Sequence, residues 1–137
     1  MELEQFRFQV HGDNRGSLVA LEQDKEIPFP IKRVYYIFGN KDNVVRGCHA
    51  HKKLKQVLIC VSGSCKIKLD NGYESCVVKL SSPDKGLLID SFVWREMYDF
   101  SLDAVLLVLA SELYDEYDYV RDYKEFMQLV EKESKSK

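Results

Sequence analysis

Along most of this chain apolar residues fall at every second position, in short runs closed by glycine, asparagine or proline. That period of two is the mark of strands with one buried face. Residues 5–11 put Phe6, Phe8 and Val10 on one face, and Gly12-Asp13-Asn14-Arg15-Gly16 ends the run in a turn. Residues 17–22 and 32–38 are the next predicted strands. Between them, Ile27-Pro28-Phe29-Pro30 is an extended connector, because each proline pushes its predecessor out of the helical region. Strands at 57–61, 65–69 and 75–80 follow, with turns at Ser62-Gly63 and Asp70-Asn71-Gly72. Asn71-Gly72 is a strong hairpin signal. Residues 86–89 and 104–110 are apolar enough to be buried strands.

The period changes near the C-terminus. Val120, Tyr123, Phe126, Met127 and Val130 recur at steps of three and four, which predicts an amphipathic helix from residue 118 to about 133 with a frayed, charged tail. Many short strands followed by one helix predict an all-β sandwich or barrel with a helical appendix. At 137 residues the chain suits a single domain with a real core.

Charge and composition narrow the partners. A net charge of −2 offers no electrostatic reason to expect nucleic acid or an acidic membrane. No apolar run approaches a membrane span, and the acidic start Met1-Glu2-Leu3-Glu4 is unlike a signal peptide. The four cysteines, Cys48, Cys60, Cys65 and Cys76, show no CxxC spacing and read as reduced packing thiols of a cytoplasmic protein.

The densest chemistry lies in residues 46–63, which begin with a charged turn and two histidines, His49 and His51, and continue as an apolar run to Ser62-Gly63. In a strand those histidines share one side, about 7 Å apart; on a helix they would splay by about 200°. The apolar, β-branched run after them favours the strand. The pair is either ordinary hydrogen-bonded structure or the wall of a ligand cavity. Arg33 and Tyr35 share a face of their own strand and Arg46 precedes the pair, a basic, phenolic and imidazole cluster that favours a cavity.

His-x-His on a strand, closed by Gly63, resembles the first motif of the cupin superfamily. Metal-binding cupins add a glutamate and a third histidine, and here those positions hold Gln56 and Arg95. Arginine has no free lone pair and repels a cation, so two imidazoles and an amide make a poor metal site. Left free, the imidazoles are available for proton transfer.

Several further segments carry a closer resemblance: Arg15-Gly16-Ser17-Leu18, residues 32–38, residues 46–52, Val93-Trp94-Arg95-Glu96-Met97, Leu109-Ala110-Ser111, Tyr114-Asp115-Glu116 and Asp118-Tyr119. Together they look like the sugar 3,4-ketoisomerases, over about residues 5–130. The resemblance implies a small jelly-roll cupin acting as a homodimer, without metal or organic cofactor, on a dTDP-linked 4-keto-6-deoxyhexose. The product would lead to 3-amino-3,6-dideoxy sugars of bacterial surface glycans. It also implies His49 as the base at carbon, Tyr35 as the shuttle between oxygens, and His51 as a partner that orients His49 or takes part in reprotonation. Arg33 and Arg46 would face the diphosphate or the enediolate, or else serve the surface. Arg15-Gly16 is similar to the branch forming the 3-keto-6-deoxygalactose product, although a turn that needs glycine's positive φ explains the glycine equally. Relatives commonly carry histidine at Arg95, which here either alters activity or adds a contact to an anionic substrate. Trp94 fits stacking on the ligand or a place in the core. Tyr36 faces away from Tyr35 and is expected in the core, and the first strand is expected to be exchangeable between subunits.

Overall fold

Two five-stranded antiparallel sheets pack face to face in the computed structural model, which describes residues 1–136. In chain order the strands are β1 (Gln5–Arg7), β2 (His11–Asp13), β3 (Gly16–Leu18), β4 (Arg33–Phe38), β5 (Arg46–His51) and β6 (Gln56–Ser62). They continue as β7 (Cys65–Asp70), β8 (Ser75–Leu80), β9 (Lys85–Ile89), β10 (Trp94–Tyr98), β11 (Val105–Ala110) and β12 (Tyr119–Val120), and α1 (Tyr123–Lys135) closes the chain. One sheet has the order β1-β9-β6-β11-β4 and the other β12-β5-β10-β7-β8, while β2 and β3 form a separate hairpin. This is the all-β, cupin-like jelly roll with one C-terminal helix that the patterning and the resemblance imply.

Three apolar layers explain the burial pattern. Between the sheets lie Leu58, Ile67, Leu69, Leu87, Ile89, Leu106 and Val108. Behind the first sheet, Val57, Ile59 and Leu109 pack against Phe8, Ile27 and Phe29. β6 is therefore buried on both faces, which is why its sequence is a continuous apolar run rather than an alternation. Behind the second sheet, Ala50, Trp94 and Val120 pack against Phe126 and Val130 of α1. At the β6–β7 turn Gly63 has φ +68°, and a Cβ there would lie 2.9 Å from Ala104 Cα, so both conformation and space call for glycine.

Several expectations change, beginning with the strand predicted at 5–11, which divides into β1 and the start of β2. The predicted strand at 17–22 is only Gly16–Leu18, because the residues after it become the apolar cover of the first sheet. The helix runs from Tyr123 to Lys135 rather than from 118 to about 133, since Asp122 caps its start by accepting from the Lys124 amide and the helix continues into the charged tail, whose last residue lies outside the described residues. Val120 keeps the apolar period yet reaches the same cluster from a strand, paired opposite Ala50. Tyr36 is 62% exposed on the outer face of the edge strand β4, beyond the reach of the segment that covers β6, and is not in the core. β1 pairs with β9 of its own chain, Gln5 opposite Leu87.

Candidate active site

A cavity of about 430 Å³ opens between β4 of one sheet and β5 of the other, within the usual range for small-molecule sites. Arg33, Tyr35 and Ile37 reach it from β4, Arg46, Gly47 and His49 from β5, and Met97 from β10. Tyr114, Tyr119 and Arg121 complete the rim from the segment before α1. A larger concavity of about 580 Å³ lies along residues 11–18, but it is lined by the β2–β3 hairpin alone and is an open surface rather than a convergent site.

The histidine strand is shaped by a local irregularity. Gly47 and Cys48 have φ of +87° and +47°, and the pairing of β5 with β10 slips between Arg95 and Glu96. A Cβ on Gly47 would lie 3.2 Å from the Arg95 carbonyl oxygen, so the close approach requires glycine. The kink turns the Gly47 carbonyl toward the His49 ring, 2.6 Å from Nδ1. A carbonyl can only accept, so His49 carries its proton on Nδ1 and presents a bare Nε2. His51 stands edge-on to it with ring centroids 4.8 Å apart, while Cys48, the residue before His49, is exposed. His51 Nδ1 lies 3.1 Å from Asp118 Oδ2, so it too donates from Nδ1.

Burial, and then the Arg95 guanidinium, pushes His49 down to about 4 and His51 to about 2. For His51 they outweigh the Asp118 carboxylate, which on its own would favour the cation. At neutral pH both rings are uncharged, with lone pairs on Nε2.

Arg95 controls more than the histidines. It is fully buried, and burial pushes its pKa down to about 10, so it stays charged at neutral pH. Nη1 donates to Gln56 Oε1 at 2.6 Å, and Nη2 to the Val93 carbonyl at 3.0 Å. Because arginine only donates, the Gln56 oxygen must face Arg95 and its NH2 must face Tyr35. Gln56 Nε2 thus donates to the Tyr35 hydroxyl at 2.8 Å, which leaves the phenolic proton free for another acceptor. Burial raises the Tyr35 pKa, against the opposing pull of Arg95 and Gln56, so the phenol is protonated at neutral pH. Arg33 lies over the Tyr35 and Tyr114 rings at 5.3 and 5.6 Å, and the exposed Arg46 stands at the mouth.

The structure thus brings His49, Tyr35, Arg33 and Arg46 around one cavity, with His51 and Arg95 directly behind its wall. Arg15 and Gly16 lie apart, on the hairpin, where Arg15 pairs with Asp13 and is 87% exposed. Trp94 is a correction to the stacking reading. Alternation along β10 turns Arg95 inward and Trp94 outward, onto Tyr123 and Phe126 at 5.3 and 5.8 Å, with Nε1 donating to Glu96. Among the described residues no cluster of three or more His, Cys, Asp or Glu side chains could hold a metal ion.

Four residues went unassigned in the sequence: Tyr114, Asp118, Tyr119 and Arg121. Arg121 lies over the Tyr119 ring at 4.2 Å and pairs with Glu116, which in turn accepts from the Tyr114 hydroxyl. The signal that could have exposed Asp118 and Tyr119 is Asp122. An N-cap there releases residues 118–121 from the helix and makes them a crossing over the barrel mouth.

Comparisons with known proteins identify the family. The family model described as FdtA: WxcM-like, C-terminal matches residues 1–131. A TDP-4-oxo-6-deoxy-alpha-D-glucose-3,4-oxoisomerase from Aneurinibacillus thermoaerophilus is 52% identical over 132 residues, 96% of this chain and 95% of the relative. The TDP-quinovose 3,4-ketoisomerase structure from Campylobacter jejuni superposes with a TM-score of 0.89 at 52% identity, covering 92% of this chain and 97% of that one. A histidine-to-asparagine variant of the 3,4-ketoisomerase from Thermoanaerobacterium thermosaccharolyticum, solved with TDP-4-keto-6-deoxyglucose, gives 0.93 at 46% identity over 95% and 94% of the two chains. By sequence and by fold, the chain belongs to this FdtA, WxcM-like family of 3,4-ketoisomerases, and is an isomerase.

Proposed function

We propose that the protein converts dTDP-4-keto-6-deoxyglucose to dTDP-3-keto-6-deoxygalactose in the cavity between β4 and β5. His49 Nε2 takes the acidic proton from C-3, and the electron pair forms the C-3–C-4 enediolate. Tyr35 gives its phenolic proton to O-4 and receives the one from O-3. The imidazolium then returns its proton to C-4, which leaves the ketone at C-3. Atoms and electrons balance without an outside oxidant or reductant. Arg33 and Arg46 supply fixed positive charge for the enediolate or the diphosphate.

The observation that carries this reading is the pairing at one cavity of an uncharged His49, bare at Nε2, with a Tyr35 hydroxyl held as an acceptor by Gln56. Stereochemistry supports the galacto product. In the substrate H-3 lies on one face of the ring, and a single imidazole that returns the proton from that face sets H-4 cis to it, which is the galacto arrangement. A second reading, the gluco product, is favoured by the 52% identity to the relative named for quinovose and requires a donor on the opposite face. We further propose a homodimer. The outer face of the edge strand β4 exposes Val34, Tyr36 and Phe38 by 54, 62 and 67%, the strip a second copy would cover, and Arg15 on the projecting hairpin could then act at the partner's cavity.

Incubation with the ketosugar nucleotide followed by NMR tests the reading. A 3-keto product with a small H-4/H-5 coupling is expected. A large coupling assigns the gluco product, and an unchanged substrate refutes the proposal.

A further inference from the structure

Asp118 is held more firmly than a surface carboxylate needs to be. Its backbone carbonyl accepts from the Lys52 amide at 3.1 Å, and its own amide donates to the Asp115 carbonyl at 3.1 Å. Its side chain, 11% exposed, accepts from the Lys53 amide at 2.8 Å through Oδ1 and from the Leu54 amide at 3.2 Å through Oδ2. Two backbone donors thus fix the carboxylate before it meets His51, 3.1 Å away at Nδ1. On the other side, the Tyr119 ring leans on the His51 ring with centroids 4.4 Å apart, and His49 stands at 4.8 Å. The imidazole is 1% exposed, and its Nε2 is buried without a hydrogen-bond partner.

We infer that Asp118 is a positioning residue for the reaction: it holds His51 with the proton on Nδ1, so that a bare, oriented Nε2 stands beside His49 at the wall of the cavity. A carboxylate can only accept, so it selects one tautomer of the two. The other tautomer would place a hydrogen on Nε2, where it could neither accept a proton nor support a neighbouring imidazolium. The Lys53 and Leu54 amides keep the carboxylate from following the ring. The catalytic consequence rests on the function proposed above, whereas the tautomer itself does not.

The test uses the full chain. Two-dimensional 1H–15N NMR of the imidazoles, without substrate, is expected to show His51 protonated at Nδ1; a wild-type spectrum with the proton on Nε2 overturns the inference whatever any variant does. D118N should lose that preference and lower kcat by about 10²-fold or more, the lower end of what a positioned acid–base group contributes, with KM little changed. In the H51N background D118N should cost nothing further, and D118E should recover part of the rate. A kcat loss that adds to that of H51N, or a loss in KM alone, makes Asp118 purely structural. The wild-type assay with the ketosugar nucleotide tests the function separately, so the two can fail independently.

Discussion

Replacing Gln56 with leucine tests the relay between Arg95 and Tyr35. Gln56 is 1% exposed and Arg95 is fully buried, so neither can turn to solvent for a substitute partner. Leucine is close in volume but has no oxygen for the Arg95 Nη1 proton, now donated to Gln56 at 2.6 Å. Losing a buried hydrogen bond to a charged group costs about 1.5–3 kcal/mol, and the bond to Tyr35 adds about 0.5–1.5 kcal/mol. The sum is about 2–4.5 kcal/mol, a fall in Tm of roughly 10 °C for a chain of this size. Adding R95M removes the orphaned donor and should restore part of the loss, since a polar pair replaced together by apolar groups costs little. Urea unfolding of Q56L, R95M and the double variant closes the cycle. A Q56L protein as stable as the wild type, or a double variant weaker than Q56L, would refute the account of Arg95 as a charge that depends on Gln56.

Two further outcomes follow from the same geometry. Both imidazoles have folded pKa values below the ordinary 6.5, about 4 for His49 and about 2 for His51, so between pH 6.5 and 4 the unfolded chain binds more protons than the folded one. Stability should be complete above pH 6.5 and fall as the pH drops toward 4; urea midpoints at pH 7.5 and pH 5 should differ less in a H49N variant, and an undiminished difference in that variant would contradict the burial argument. Trp94→Ala should cost about 3–5 kcal/mol by opening a cavity under α1, yet leave KM unchanged at a temperature where it is folded. A raised KM would return Trp94 to the substrate site.

Where a signal was local, it was legible. Alternation put Arg33 and Tyr35 on one face and His49 and His51 on another, and a β-strand's two-residue period leaves no other choice once the strand exists. The turn at Gly63 and the hairpin at Asn71-Gly72 are equally local, because backbone conformation and residue type meet within a few positions. The misplaced residues depend on what covers a face. Trp94 and Tyr36 both alternate correctly, yet one lies under α1 and the other stands exposed, and no periodicity says which outer face acquires a cover.

Residue order alone determined the class of fold, the strand that carries the histidines and the donor set around them, since these rest on periods of two and on the chemistry of single side chains. Only the tertiary structure decided that Asp118 meets His51 across 67 positions, and that Gln56 joins Arg95 to Tyr35. Those contacts set tautomer and proton direction. They arise where strands far apart in sequence converge, and a hydrogen bond is directional in a way that no spacing along the chain encodes.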